Sequence, residues 1–149
     1  MTNQTEPPEL VLVDTSSFFS KAAELRKIIT EKRVKLVTID LVVFEFVKLM
    51  QAELNAALGK GRSERIKMLT AIRDRFPGLL RDLGIELVSP PFDLEDLGML
   101  YGKKEAEKST FDSGDYMIWL KMKKAGIDSI LTDNVDDWKR FGAKICLLD

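Results

Sequence analysis

Glu9-Leu-Val-Leu-Val-Asp14 is followed directly by Thr15-Ser-Ser17. Four consecutive apolar residues leave no polar face for water. The strand they predict is therefore covered on both sides, as strands of parallel sheets are. Thr15-Ser-Ser17 then opens a helix expected to reach about Thr30. Lys35-Leu-Val-Thr-Ile-Asp40 repeats the pattern, with a helical stretch from Leu41 to about Leu58 behind it. Gly59-Lys-Gly-Arg-Ser63 reads as a turn, and Ser63 is placed to cap a helix to about Arg75 that Pro77-Gly78 should end. Residues from about 41 to 76 would then form a helical hairpin. Further along come strands at Ile85–Val88, Asp128–Thr132 and Ala143–Leu148, and helices at Leu94–Lys108 and Tyr116–Ala125, the latter with Gly126 as its cap.

Strands alternating with helices predict an α/β fold, because parallel neighbours need a crossover that is usually helical. The expected architecture is three-layer α/β/α around a central, mostly parallel sheet. At 149 residues the chain suits one domain, here residues 9–149 behind a loose polar tail at 1–8. That tail has no basic stretch leading into a long apolar helix, which predicts neither a signal peptide nor a membrane anchor. The single cysteine, Cys146, lies in an apolar run and has no intramolecular partner, as expected in a reducing cytoplasm.

Composition narrows the chemistry. With 23 basic and 24 acidic residues the formal net charge is −1, so a polyanion would have to meet a local basic patch. There are 0 histidines, which removes Ser-His-Asp and Cys-His catalysis, histidine-based ribonuclease chemistry and His-ligated zinc hydrolysis. Gly59-Lys-Gly-Arg-Ser63 lacks the spacing of a P-loop. Carboxylates are left as the working groups.

Asp14, Asp40 and Asp133 each follow a predicted strand, where ligands gather in parallel sheets and where Asp also serves as a helix cap. Asp40 looks most like a pure cap. Asp112 and Asp115, three residues apart in Thr110-Phe-Asp-Ser-Gly-Asp115, fit a cap with a first-turn acid as well as they fit a site. Glu45 differs, because Leu41-Val-Val-Phe-Glu45-Phe-Val-Lys-Leu-Met50 offers no fully polar face. A carboxylate among apolar groups needs a cation or donors, and an exposed pair with Lys48 is too weak to explain its placement. A doubly wound sheet would carry Asp14, Glu45, Asp115 and Asp133 to one edge. Several like charges together call for a multivalent cation, and oxygen ligands suit Mg2+ or Mn2+, ions that serve phosphodiester hydrolysis.

Three segments together resemble the PIN-domain family of metal-dependent ribonucleases and VapC-type toxins: Leu10-Val-Leu-Val-Asp14-Thr-Ser-Ser, Glu45 in the helix after the second strand, and Asp115 through Thr132-Asp-Asn-Val-Asp-Asp-Trp138. The resemblance spans Leu10 to about Leu148. It implies that Asp14, Glu45 and Asp115 ligate metal directly or through water, with Asp133 favoured as the fourth acid. Asn134, Asp136 and Asp137 could fill or assist that place, and Asp112 has the lesser claim. It further implies an endoribonuclease, RNA as substrate, an antitoxin protein as partner and a homodimer.

Thr15, Ser16 and Thr132 would hydrogen-bond the carboxylates or a phosphate, or simply cap and turn. Lys60, Arg62, Arg65 and Lys67, with Lys121, Lys123 and Lys124, could guide an RNA backbone or be solvated faces. Phe18, Phe19 and Trp119 read as core or interface. The alternative from another class is a non-catalytic PIN-like module for RNA binding or assembly; a phospho-receiver would need an acidic pair beside Asp14 and a lysine near the end of the last strand, which this sequence lacks.

Overall fold

The apolar runs pair as their burial requires. The computed structural model describes residues 7–20, 22–107 and 112–146. The strands β1 (Glu9–Val13), β2 (Val34–Ile39), β3 (Glu86–Val88), β4 (Ser129–Leu131) and β5 (Lys144–Ile145) form one five-stranded sheet in the order β3-β2-β1-β4-β5, with every pair parallel. In β1, Val11, Leu12 and Val13 are all at 0% exposure, so both faces of the central strand are covered. The edge strand β3 is mostly exposed.

Helices α1 (Thr15–Ser20), α2 (Leu25–Lys32), α3 (Asp40–Gly59), α4 (Ser63–Asp82), α5 (Leu94–Glu107), α6 (Ser113–Lys124) and α7 (Val135–Phe141) connect and flank the strands. The chain leaves β1 towards β2 and β3, then returns to add β4 and β5 on the other side. That reversal opens a crevice beyond the carboxyl ends of β1 and β4, the usual ligand position in such sheets. Among the described residues no helix is long and apolar enough to cross a membrane. The tail at 1–6, the Phe19 side chain, Lys108 and residues 147–148 lie outside what is described.

Three local expectations change. The helix expected from Thr15 to Thr30 is divided by a 3-10 turn at Ala22–Glu24, after which Leu25 and Ile28 of α2 are buried. Ser63 is the first residue of α4 rather than its cap; Arg62 holds the cap position without a side-chain hydrogen bond. Pro77 does not end α4, which continues to Asp82 and lengthens the hairpin beyond residue 76. An interior proline costs about 3 kcal/mol through a lost bond and a clash with the preceding turn. Burial opposes that cost. Phe76 stacks on Phe46 at 4.0 Å and meets the buried Phe18 edge-on at 5.0 Å, and Leu79, Leu80 and Leu83 pack against the core. Each such side chain contributes roughly 1.5–3 kcal/mol when fully buried.

Asp40 is also more than a cap. It bonds the Leu41 N–H at 2.8 Å, and it pairs with Lys121 of α6 at 3.3 Å. Lys121 is only 6% exposed and donates to the Pro90 carbonyl as well. Lys124 pairs with Asp93 and with the buried Asp96, and Lys123 lies over the Trp119 ring at 5.5 Å. The late lysines, for which backbone guidance and a solvated face were both open, are thus tied to neighbouring groups of the fold.

Pro77→Ala should restore a helical hydrogen bond while giving the unfolded chain slightly more freedom. The net expectation is a stability gain of about 1–2 kcal/mol. Urea unfolding would show a higher midpoint with an unchanged slope.

Candidate functional site

Asp14 stands at the crevice because β1 ends there. Its backbone N–H donates to the Leu131 carbonyl at 3.0 Å, continuing the β1–β4 pairing by one residue. The side chain is 5% exposed. A buried carboxylate needs donors. The Thr15 N–H reaches Oδ1 at 2.9 Å and the Thr132 hydroxyl reaches Oδ2 at 2.7 Å. Thr132 Oγ1 also accepts from the Asn134 N–H at 3.0 Å, so that hydroxyl is used as both donor and acceptor. Burial pushes Asp14 above the usual carboxylate range, with the Thr132 and Thr15 bonds pulling the other way. The indole N–H of wholly buried Trp138 adds a weaker attraction without closing a hydrogen bond of normal length.

Two serines stitch the start of α1 to the end of β4. The Ser17 hydroxyl, at 0% exposure, donates to the Leu131 carbonyl at 2.9 Å, and Ser16 Oγ accepts from the Asp133 N–H at 3.2 Å.

Glu45 lies just past the first turn of α3 and is half-buried. The stripe Val42, Phe46, Met50 and Leu54 turns into the core beside it, while Phe44 and Val47 face outward, which is why no polar face exists. Burial raises its pKa first. The Thr15 hydroxyl opposes that rise, the charges of Asp14 and Asp112 reinforce it, and Lys48 opposes it weakly.

Asp112 starts α6 by accepting the Asp115 N–H at 2.9 Å. Asp115 then sits in the first turn and is pushed up to about 7, by burial first and then by the charges of Asp112, Asp14, Glu45 and Asp137. Five carboxylates from β1, α3, α6 and α7 therefore share one electrostatic neighbourhood. Asp133 and Asn134 are exposed at the turn between β4 and α7, with Asn134 at the cap position of α7, and Asp136 is exposed in the first turn of that helix. Lys60, Arg62, Arg65 and Lys67 are elsewhere, at the far end of the hairpin. Fifteen residues of continuous helix and its cap separate Lys60 from Glu45, about 22 Å at 1.5 Å per residue.

The donor set is all oxygen, largely desolvated and in excess negative charge, which fits a hard divalent cation such as Mg2+ or Mn2+. Among the described residues no three acidic side chains stand close enough, as placed, to ligate one ion together. Mg2+ commonly keeps several waters between itself and protein groups, a mode that asks less of side-chain convergence.

The sequence reading missed Ser17 and Trp138. Ser17 was visible only as the third residue of a hydroxyl run, and Trp138 only as an aromatic after an acidic turn. Asp137 was named as a stand-in, and its influence on Asp115 depends on how α7 packs against α6.

No protein-family model and no curated protein matches the sequence. Solved structures do share the architecture. A chain in the crystal structure of VapBC2 from Rickettsia felis bound to a DNA fragment from their promoter is 13% identical, with a TM-score of 0.60 over 94% of this chain and 99% of that one. PAE2754 from Pyrobaculum aerophilum is 16% identical, with a TM-score of 0.54 over 93% of this chain and 83% of that one. At these identities the likeness shows a PIN-like fold.

Asp115 predicts an unusual pH response for the metal-free protein. Its usual value is 3.8 and its folded value about 7, so between those values the folded state holds a proton that the unfolded chain has lost. Stability falls as pH rises through that window. Asp115→Asn keeps the shape without titrating, so thermal melts in a chelator should find it more stable than wild type at pH 8 and equal to it near pH 4.

Proposed function

We propose that this protein is a Mg2+- or Mn2+-dependent endoribonuclease that hydrolyses RNA phosphodiester bonds at the acidic crevice, acting as the toxin of a VapBC-type toxin–antitoxin pair. The observation that carries this reading is Asp115. A carboxyl pushed up to about 7 by burial first, and then by the charges of Asp112, Asp14, Glu45 and Asp137, marks a cluster of acids that a bound cation would relieve. The PIN-like fold shared with the VapBC2 structure supports it, and that complex is the reason for naming an antitoxin as partner.

Asp14, Glu45 and Asp115 would hold the cation, which when bound would polarise a phosphoryl oxygen and acidify a water. Asp14 cannot turn freely, because Thr15 and Thr132 occupy its two oxygens. Burial and repulsion raise both Glu45 and Asp115, and Asp115, at about 7, is able to exchange a proton near neutral pH. Asp133 remains our choice for the fourth acid, and the charge that Asp137 exerts on Asp115 gives it a competing claim. Exposed apolar side chains on α3 and on α5, including Phe44 at 62%, Leu94 at 84% and Tyr101 at 65%, favour a homodimer or antitoxin contact through one of these helices.

The test begins without a substrate. Metal-stripped wild type should melt at a temperature that climbs with added Mn2+, by about 2.7 kcal/mol of stability at a hundred times the dissociation constant. Glu45→Gln and Asp115→Asn should show little or none of that gain, and cleavage of single-stranded RNA should drop about a hundredfold in each. A wild type that neither responds to metal nor cuts RNA would sink the nuclease and leave the binding or assembly module.

A further inference from the structure

We propose that the tip of the α3–α4 hairpin is a separate binding site for the sugar–phosphate backbone of single-stranded RNA. This rests on the reading of the acidic crevice as the place of cleavage, and it adds where the rest of the strand is held. A cleft of about 400 Å3 opens there, lined by Glu53, Ala56, Ala57, Lys60, Arg62 and Arg65. Gly61, in the left-handed region at φ 62°, reverses the chain between the helices and sets Lys60 and Arg62 on either side of the turn. The two alanines leave room between the basic side chains.

The basic charge there exceeds the acidic charge. The cleft lining carries Lys60, Arg62 and Arg65 against Glu53, a local balance of +2 in a chain whose total is −1. Arg65 is held across the hairpin by Glu53 at 2.9 Å, which uses one edge of the guanidinium and leaves its other N–H groups for an anion. Lys60 and Arg62 are exposed and have no acidic partner among the described residues. Two unpaired cations and one fixed guanidinium around a cleft suit phosphate oxygens, which guanidinium groups bind in a fork.

Distance favours a polynucleotide over a short acidic peptide. Lys60, at the far side of the cleft, is about 22 Å from Glu45 along α3, roughly six stacked nucleotides at ~3.4 Å per strand. A strand cut at the crevice would reach the hairpin tip with phosphates at regular intervals. Cations at that distance would raise affinity for long substrates and leave short ones untouched.

The experiment compares wild type, the double variant Lys60→Gln with Arg62→Gln, and a control, Arg26→Gln with Lys27→Gln, which removes the same charge from the exposed face of α2. Fluorescence anisotropy of a labelled 20-nucleotide single-stranded RNA is followed against salt in a chelator, so that no cleavage occurs. The hairpin variant should bind about tenfold more weakly at low salt, with a log–log salt slope smaller by about 1.4, two phosphates at ~0.7 each; the control should match wild type. Equal affinity and slope for the two variants, or no RNA binding by wild type, would overturn the proposal. So would displacement of the RNA from wild type by a poly-glutamate peptide of equal charge at equal concentration, which would assign the cleft to an acidic protein. Cleavage of the same RNA in Mn2+ separates the two readings. The hairpin binding defect without wild-type cleavage overturns the nuclease and keeps the anchor, whereas cleavage with hairpin binding unchanged does the reverse.

Discussion

Everything at the carboxyl edge of the sheet depends on burying one charged group, Asp14, at the end of the central strand. Desolvating a carboxylate is costly unless donors replace the lost water. Here the donors come from β1's own continuation and from the far side of the reversal in strand order, through Thr15 and Thr132. Meeting that need draws β4 against β1, places Asn134 and the start of α7 through the same Thr132 hydroxyl, and leaves Ser16 and Ser17 to close the seam. The core below supplies the rigidity, since Val11, Leu12 and Val13 have no exposed surface through which the strand could shift.

Satisfying Asp14 by hydrogen bonds does not neutralise it, and the neighbouring helices add more negative charge. Glu45 arrives on α3, and Asp112 and Asp115 arrive together at the start of α6. The local reading of Asp112 and Asp115 left cap and site as alternatives; in the structure the two residues divide the roles. Asp112 accepts the helix N–H group, and Asp115 takes the repulsion of the whole cluster. The lysines of α6 do not quench this charge, because they are engaged elsewhere. Lys121 ties the helices carrying Glu45 and Asp115 together through Asp40, and Lys124 secures the segment before and into α5. The fold thus separates a desolvated acidic crevice from a basic hairpin tip along a single long helix.

The proline in α4 shows where local rules yield. Pro77-Gly78 is a strong stop signal considered alone, yet Phe76 and the leucines after it are worth more in the core than the proline costs in the helix. The cap expected at Ser63 likewise moved by one residue, because helix starts respond to the geometry of the preceding turn as well as to side-chain preference.

By itself the sequence determined the class of fold and most members of the acidic group. Apolar runs ending in Asp can be solvated on neither face, so a parallel sheet with those aspartates at its carboxyl edge follows from burial. Glu45 was legible as a charge on a helix with no fully polar face. The absence of histidine left carboxylates as the remaining workers. Only the tertiary structure decided which acids feel one another. Through-space repulsion depends on how α6 and α7 pack, which is how Asp137 reaches Asp115, how Trp138 comes to face Asp14, and how Lys121 is taken up by Asp40. Those pairings join residues far apart in the chain, and no local pattern encodes the distance between them.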